Sequence, residues 1–249
     1  MTGERFGPPQ YVDVGGNTVA RESLLQIGPE QLIDIVERLD HDGSGVAHIP
    51  RVISPTTLGR LQHEANNGII WRKVDGAFVN ERGVRIEQRF DAFALKLLEG
   101  DQRFMDISPT TRKFIGDIQD LIRGLAFLYP SLEPWTADEI AFHLYHSGDG
   151  GLSMHKDNSR HPGLIATLSL RGIAKFDYKT VDGKANWVTT APGGLVLMRA
   201  TGLLGNEDLR PEHAVTTIYT PQRVSMTIRA NTRPDEPIPR AEYDNWSKS

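Results

Sequence analysis

The residues of this chain best able to do chemistry together are two histidines and an aspartate. His155 and Asp157 are two positions apart, and His213 follows much later in the sequence. Residues two apart on a β-strand or at its edge point to the same side, so His155 and Asp157 can reach one metal ion. Two imidazoles and one carboxylate bind a ferrous ion on one face and leave its other positions open. These three residues are therefore predicted to form a catalytic iron site.

A second pattern follows His213 and points to a co-substrate. The segment 223–229 alternates polar and apolar residues, so on a strand Arg223, Ser225, Thr227 and Arg229 share one face. A planar guanidinium holds a carboxylate through two parallel charge-assisted hydrogen bonds, which a lysine cannot imitate. Next to a metal site, Arg223 therefore predicts the binding of a carboxylate-bearing co-substrate.

The order of these motifs resembles the iron(II)/2-oxoglutarate-dependent dioxygenases, whose pattern is His-x-Asp, a distal His and then Arg-x-Ser. The match covers residues 45–232. The resemblance implies that His155, Asp157 and His213 bind iron(II), and that Arg223 and Ser225 hold the distal carboxylate of 2-oxoglutarate. It also implies an enzyme that uses O2 and 2-oxoglutarate to oxidise a C–H bond, most simply by hydroxylation, and releases succinate and CO2.

The segment before the metal motif is similar to one branch of that family. His143, Tyr145 and Gly148 look like the Asn-x-Tyr-x-x-Gly element of the AlkB-like proteins, whose tyrosine contacts the co-substrate. His143 replaces the asparagine, and the interval to the metal motif is one residue longer. Arg223 and Arg229 reproduce the Arg-x5-Arg pair of that branch, but closer to the distal histidine. The resemblance implies that Tyr145 contacts 2-oxoglutarate, the alternative being a core aromatic residue, and leaves the branch open.

Four residues are candidate contacts for the prime substrate, namely His143, Arg89, Arg199 and Arg229. His143 shares strand parity with Tyr145 and should face the same side. For Arg89 and Arg199 the competing interpretation is an arginine at the rim of the barrel, paired with an acidic neighbour.

Two other features imitate binding sites. The segment Asp40 to Gly45 has the first oxygen ligands of an EF-hand calcium loop, but Arg51 stands where the bidentate glutamate is required. We interpret this segment as a turn. His161 precedes a proline in a predicted loop, and we expect it at the surface or in contact with substrate.

Composition bounds the class of protein and its partners. The 249 residues contain no cysteine, which excludes disulfides and thiolate metal sites. No apolar run is long enough for a membrane span and no signal peptide is visible, so a cytoplasmic location is expected. The formal net charge of -4 argues against nucleic acid and for a small-molecule partner.

The order of predicted elements favours an α+β fold. Helices are predicted from Pro29, from Pro55 to Asn66 and from Pro109 to Leu128, the last two with Ser54-Pro55 and Ser108-Pro109 cap signatures. Strands are predicted at 46–53, at 71–93 with a hairpin near Asn80, and throughout 139–232. We expect a single domain over 1–249, a double-stranded β-helix (jelly roll) with supporting helices and a core at 45–232. Segment 1–27 is expected to be flexible or to form a strand that caps the core, and 233–249 is expected to be flexible or to pack loosely.

The prime substrate is predicted to be a small polar metabolite, such as an amino acid or a natural-product intermediate. One alternative is an AlkB-like demethylase of alkylated nucleobases, which requires a basic lid. Acidic residues nearly balance the arginines of the candidate segment 71–104. The other alternative is a metal-binding jelly roll without catalysis.

Overall fold

The computed structural model describes residues 10–12, 18–20, 23–41, 43–80, 83–96, 108–205 and 208–232. The tail 233–249 lies outside the described residues, as do the other parts of 1–27. The flexibility predicted for those segments therefore stays a prediction. None of the helices in the described part of the chain is long and apolar enough to cross a membrane.

Helices come early in the chain and strands dominate the rest. The helices are α1 (Pro29–Leu39), α2 (Pro55–Gly68), α3 (Pro109–Gly124) and a 3-10 helix at Pro130–Leu132. The strands are β1 (Gln10–Val12), β2 (Thr18–Ala20), β3 (Val46–Ile49), β4 (Arg72–Val79), β5 (Arg85–Lys96), β6 (Glu139–His146), β7 (Gly151–His155), β8 (Leu164–Arg171), β9 (Ala174–Lys179), β10 (Ala185–Thr190), β11 (Leu195–Arg199), β12 (Glu212–Ile218) and β13 (Gln222–Arg229).

Strands β3 to β13 form one antiparallel sheet that is rolled upon itself. Its order is β10-β9-β12-β7-β5-β6-β13-β8-β11-β3, and β4 pairs with β5 as a hairpin. Val46 on the edge strand β3 and Phe176 on β9, near the opposite edge, belong to one buried cluster. Strands so far apart in a sheet can share a cluster only if the sheet curls, which is the predicted jelly roll.

The two faces of the rolled sheet bury different side chains. On β11, Leu195 and Leu197 pack against the helices, whereas Val196 and Met198 point into the roll. The helical layer contributes Leu61 of α2 and Phe114 of α3 to the outer core. This period of two is the ordinary alternation of a β-strand, and here it separates an apolar outer core from the interior where the site lies.

Two predicted boundaries were too long. The strand predicted at 46–53 ends at Ile49, because Pro50 has no N–H to donate to the ladder. The helix predicted to reach Leu128 ends at Gly124, and Phe127 beyond it is exposed. A further turn of the helix would therefore have no core surface against which to bury its apolar side chains.

The N-terminus of α3 is capped by a residue that the sequence did not indicate. Ser54 caps α2 as expected and accepts a hydrogen bond from the Thr57 amide, but Ser108 makes no such bond. Instead the buried carboxylate of Glu64 accepts from the amides of Thr110 and Thr111, each at 2.8 Å. A carboxylate at a helix N-terminus satisfies orphan amides and complements the helix dipole. Glu64 thus couples α2 to α3.

We expect Glu64→Ala to lower the free energy of unfolding by about 2 kcal/mol, because hydrogen bonds to a buried charged group are worth about 1.5–3 kcal/mol. Urea denaturation of the variant measures this. Glu37→Ala, which removes an exposed glutamate from α1, serves as the control and should change stability by no more than about 0.5 kcal/mol. Equal effects of the two substitutions would contradict the role of Glu64.

Candidate metal centre and ligand pocket

The pairing of β7 with β12 brings the two histidines together. His155 is the last residue of β7 and lies directly opposite His213, the second residue of β12. Asp157 follows β7 by two positions and returns to the same side. Gly151 at the start of β7 has a positive φ of 65° and lies so close to β12 that a Cβ would collide with the Val215 carbonyl oxygen. A glycine is therefore required for the strands to approach this closely.

Three ligand atoms of His155, Asp157 and His213 lie within 4.8 Å of one another. The ring centroids of His155 and His213 are 4.3 Å apart, and Nε2 of His213 is 3.5 Å from the Asp157 carboxylate. Phe176 stacks on the outer face of His213 at 5.5 Å. The cluster is small enough for all three side chains to bind one ion.

Backbone carbonyls determine which imidazole nitrogens are available. Nδ1 of His155 lies 2.8 Å from the Ser153 carbonyl oxygen, and Nδ1 of His213 lies 3.5 Å from that of Pro211. A carbonyl can only accept, so these contacts favour the neutral tautomer with the proton on Nδ1, strongly for His155 at 2.8 Å and weakly for His213 at 3.5 Å. Each Nε2 then keeps a lone pair, as a metal ligand must.

The charge on Asp157 is stabilised by its neighbours. Burial disfavours ionisation, but the imidazoles of His213 and His155 and the Arg229 guanidinium outweigh it and lower the pKa of Asp157. Arg229 approaches the carboxylate with Nη1 at 3.8 Å. Asp157 is therefore ionised at neutral pH, which is the form that binds a cation.

Arg223 lies at the floor of the pocket with its side chain almost fully buried. Its Nη1 donates to the Ser225 hydroxyl at 3.1 Å, and the guanidinium lies 5.3 Å from the centre of the Tyr145 ring. Among the described residues no carboxylate forms an ion pair with Arg223, and its Nε has no hydrogen-bond partner. Burial lowers the pKa of Arg223, but an arginine remains a cation under these conditions. This is an uncompensated buried charge beside the metal cluster.

His143 is on β6 opposite Ser225 and also faces the pocket. Its ring packs edge-on against Phe90 with centroids 5.0 Å apart. Burial, together with Arg229 and Arg223, lowers the pKa of His143 to about 3. His143 is therefore a neutral donor and acceptor between the metal cluster and the arginines.

The pocket enclosed by these side chains has a volume of about 180 Å³. The β4–β5 hairpin covers one side of it with the apolar residues Phe78, Val79 and Ile86. Amide side chains of Asn80, Gln88 and Asn158 also line it, as do Thr167 and Thr227, whose hydroxyls are 3.1 Å apart. Of these polar residues only Thr227 was predicted to share the face of Arg223, through the alternation along the strand. Isolated amides and hydroxyls have no motif that could have identified the others.

Two of the predicted substrate contacts lie outside the pocket lining. Arg89 is exposed and forms an ion pair with Asp75 across the hairpin at 3.7 Å, on the side of β5 opposite the pocket-lining Gln88 and Phe90. Arg199 is buried beneath α1, where its guanidinium donates to the carbonyl oxygens of Asp40 and Gly43 at 2.8 and 3.0 Å. Arg199 thus secures the turn that imitates a calcium loop.

The expectation for His161 was wrong, because its ring is fully buried. Nδ1 donates to the Ala230 carbonyl oxygen at 3.0 Å, and Nε2 lies 3.4 Å from Nε of the buried Arg160. Arg160 in turn approaches Glu139, which accepts a 2.6 Å hydrogen bond from Asn231. This polar cluster joins the loop after Asp157 to the start of β6 and the end of β13.

The sequence matches no protein-family model, and it matches no curated protein sequence. Solved structures nevertheless share its fold. A prolyl hydroxylase from Trichoplax adhaerens, in complex with a hypoxia-inducible-factor oxygen degradation domain peptide fragment, superposes with a TM-score of 0.58 and 12% identity, over 82% of this chain and 91% of that one. A prolyl-4-hydroxylase from Pseudomonas putida gives a TM-score of 0.53 and 15% identity, over 76% and 94% of the two chains.

The non-haem α-ketoglutarate-dependent epimerase SnoN from nogalamycin biosynthesis gives a TM-score of 0.56 and 15% identity, over 82% and 84% of the two chains. At these identities the likeness establishes the fold. The jelly roll with supporting helices, predicted from the sequence, is thereby confirmed, and it is the fold of 2-oxoglutarate- and iron-dependent oxygenases.

The buried His161 should make the stability of the apoprotein depend on pH. Burial, with Arg229 nearby, lowers its pKa to about 3 in the folded state, whereas an unfolded chain has a histidine pKa of about 6.5. Between these values only the unfolded state binds the proton. We therefore expect stability to fall with decreasing pH below about 6.5, by about 1.4 kcal/mol per pH unit from this residue.

Urea unfolding of the apoprotein at pH 7, 6 and 5 measures the slope. His161→Gln should reduce it by about one proton, whatever its effect on absolute stability. The control is His41→Gln, at an exposed position, and it should leave the slope of the wild type unchanged. A His161→Gln slope equal to that of the wild type would show that the buried ring does not stay neutral.

Proposed function

We propose that this protein is an iron(II)- and 2-oxoglutarate-dependent oxygenase that hydroxylates a C–H bond of a small polar metabolite. The observation that carries the proposal is the buried guanidinium of Arg223 next to a cluster of two imidazoles and one carboxylate. A buried charge without an oppositely charged partner is costly. An anionic ligand that also reaches the metal removes that cost.

The ligand set fits iron(II). Imidazole and carboxylate ligands suit a ferrous ion, and three ligands on one face leave positions for a co-substrate and for O2. Both histidines present Nε2 to the cluster because Nδ1 is engaged with a carbonyl, and Asp157 is held ionised by its neighbours. In the proposed enzyme His155, Asp157 and His213 hold the metal.

The pocket floor fits the distal carboxylate of a dicarboxylic acid. Arg223 would bind that carboxylate, and the Ser225 hydroxyl would both hold the guanidinium and donate to the ligand. Tyr145 packs on the guanidinium and is 3% exposed, so its ring would form part of the wall around that carboxylate. A compact 2-oxo diacid such as 2-oxoglutarate would place one carboxylate here and its other end at the metal held by His155, Asp157 and His213.

Iron(II) with 2-oxoglutarate and O2 supplies the oxidising power, and the co-substrate leaves as succinate and CO2. The side chains of the pocket would determine which C–H bond of the substrate is oxidised. Phe176 packs on the ring of His213 and Phe90 packs on His143, so both would limit the access of water, while His143 offers a neutral hydrogen-bonding edge that adds no charge. The amides of Asn80, Gln88 and Asn158 near the hairpin would orient polar groups of the substrate.

The charges on the hairpin support a small-molecule substrate over a nucleic acid. Lys73 and Arg89 both lie near Asp75, at 3.5 and 3.7 Å, and Arg85 lies near Glu87 at 3.7 Å. Because these three cations lie beside two carboxylates, they leave little net positive charge for a phosphate backbone, whose binding depends on releasing counterions to a basic surface. A demethylase of alkylated nucleobases would need such a surface on this lid.

The first test is an anaerobic titration of the apoprotein with iron(II) and then 2-oxoglutarate. We expect a weak visible charge-transfer band that saturates at one equivalent and is lost in His155→Ala, which removes one ligand. Iron binding without a band would contradict the co-substrate and the mechanism. If the band forms but no metabolite stimulates succinate release, the metal-binding jelly roll without catalysis is the better description.

The second test addresses Arg223. We expect Arg223→Met to raise the dissociation constant of 2-oxoglutarate at least 30-fold, since removing one partner of a buried charge pair costs about 2–5 kcal/mol. Iron affinity should remain near that of the wild type. Arg171→Met is the matched control, because Arg171 is on β8 and donates to Asn66 at the surface. Unchanged co-substrate affinity in Arg223→Met would falsify the assignment.

A further inference from the structure

The backbone ladder between β7 and β12 ends where the metal ligands begin. His155 and His213 are the final opposed pair, and the register is irregular between His213 and Val215. Asp157 therefore lies beyond the ladder, on a segment that no strand pairing to β12 restrains. The separation between the His-x-Asp segment and the strand of the distal histidine must be maintained by other contacts.

Arg210 spans this gap. It lies three positions before His213, and its side chain is 8% exposed. Its Nη1 donates to the backbone carbonyl oxygen of Asp157 at 2.6 Å, across 53 positions of sequence. The same guanidinium binds both oxygens of Asp208, with Nε at 2.7 Å and Nη2 at 3.1 Å. The Arg210 guanidinium thus contacts both the predicted metal ligand Asp157 and the loop that carries Arg210 itself.

Asp208 completes the connection from the other side. Its carboxylate accepts a hydrogen bond at 3.2 Å from Lys156, the residue between the two ligands of the His-x-Asp motif. Lys156 also reaches the backbone carbonyl of Asp208 at 3.4 Å. The segments 155–157 and 208–213 are consequently joined by two cationic side chains and one shared carboxylate.

We propose that Arg210 is a positioning residue that sets the distance of Asp157 from His213, with Asp208 and Lys156 holding Arg210 in place. The inference rests on the metal site of the proposed function and deepens it. A ligand that is already in position binds a metal without the cost of ordering its loop. A guanidinium is required because only a planar fork can bind the carboxylate through two bonds and still donate a third to the carbonyl.

The test measures metal affinity without turnover. Apoprotein is titrated with Mn(II), and free ion is followed by the electron paramagnetic resonance signal of the aqueous species. In Arg210→Met we expect the Mn(II) dissociation constant to rise about 10-fold to 100-fold, as is usual when a partner that orients a metal ligand is removed. Thermal unfolding of the apoprotein is recorded in parallel, because a purely structural arginine would lower stability without changing the affinity of the folded protein.

A second variant and a control make the outcome unambiguous. Asp208→Asn keeps the shape of the half-exposed side chain and weakens its hold on Arg210, so it should raise the dissociation constant by less than Arg210→Met. Lys179→Met removes an ion pair at 3.2 Å with Glu212, which neighbours His213, but leaves the contacts of Arg210, Asp208 and Lys156 in place, and should leave Mn(II) affinity unchanged.

The outcomes distinguish a failure of the positioning role of Arg210 from a failure of the metal site. Wild-type affinity in both Arg210→Met and Asp208→Asn overturns the positioning role while the metal site stands. An equal loss in Lys179→Met also overturns it, because any disturbance near β12 would then suffice. Failure of the wild type to bind Mn(II) overturns the metal site itself and the inference with it.

Discussion

The alternation of side chains along β13 is the constraint on which the rest of the structure depends. Val224, Met226 and Ile228 pack outward against the helical layer, so Arg223 and Ser225 must point into the roll. A slip of one residue against β6 or β8 would bury the arginines among the helices and expose the apolar residues to the pocket. The hydrophobic energy of the outer core therefore fixes the direction of the polar face. The same burial that stabilises the fold also orients the pocket.

Two interior carboxylates near the site each have a cation close by, whereas the buried cation Arg223 lies beside none of the described carboxylates. Arg229 approaches Asp157, and Arg160 approaches Glu139 in the cluster behind the loop. Arg223 has no carboxylate partner among the described residues. In a low-dielectric interior such a charge makes a specific demand. The neighbouring His143 is neutral and does not offset the charge of Arg223. An anionic ligand would offset it.

Local spacing predicted the site better than it predicted the contacts that hold the site in place. The two-residue interval of His155 and Asp157 and the alternation of 223–229 are local patterns, and both are present in the structure. The position of His213 opposite His155 depends on the register of two strands far apart in sequence. Arg210 binding a carbonyl 53 positions away has no local signature. Arg199 shows the converse, since an arginine on an apolar strand suggested a ligand, whereas backbone carbonyls at the end of α1 accept its hydrogen bonds.

The electrostatics of the pocket also bear on the chemistry of its ligands. A divalent ion added to Arg223 and Arg229 gives more positive charge than Asp157 offsets, so a bound ligand must be anionic to balance it. A dicarboxylate bound as proposed would do so, with one end on the metal and the other on Arg223. Once it is bound, the remaining described lining offers mainly amides, hydroxyls and apolar surface to a second molecule. Substrate selection would then depend on the arrangement of hydrogen-bonding groups more than on charge. A site built to hydrogen-bond its substrate rejects molecules that leave its polar groups unsatisfied.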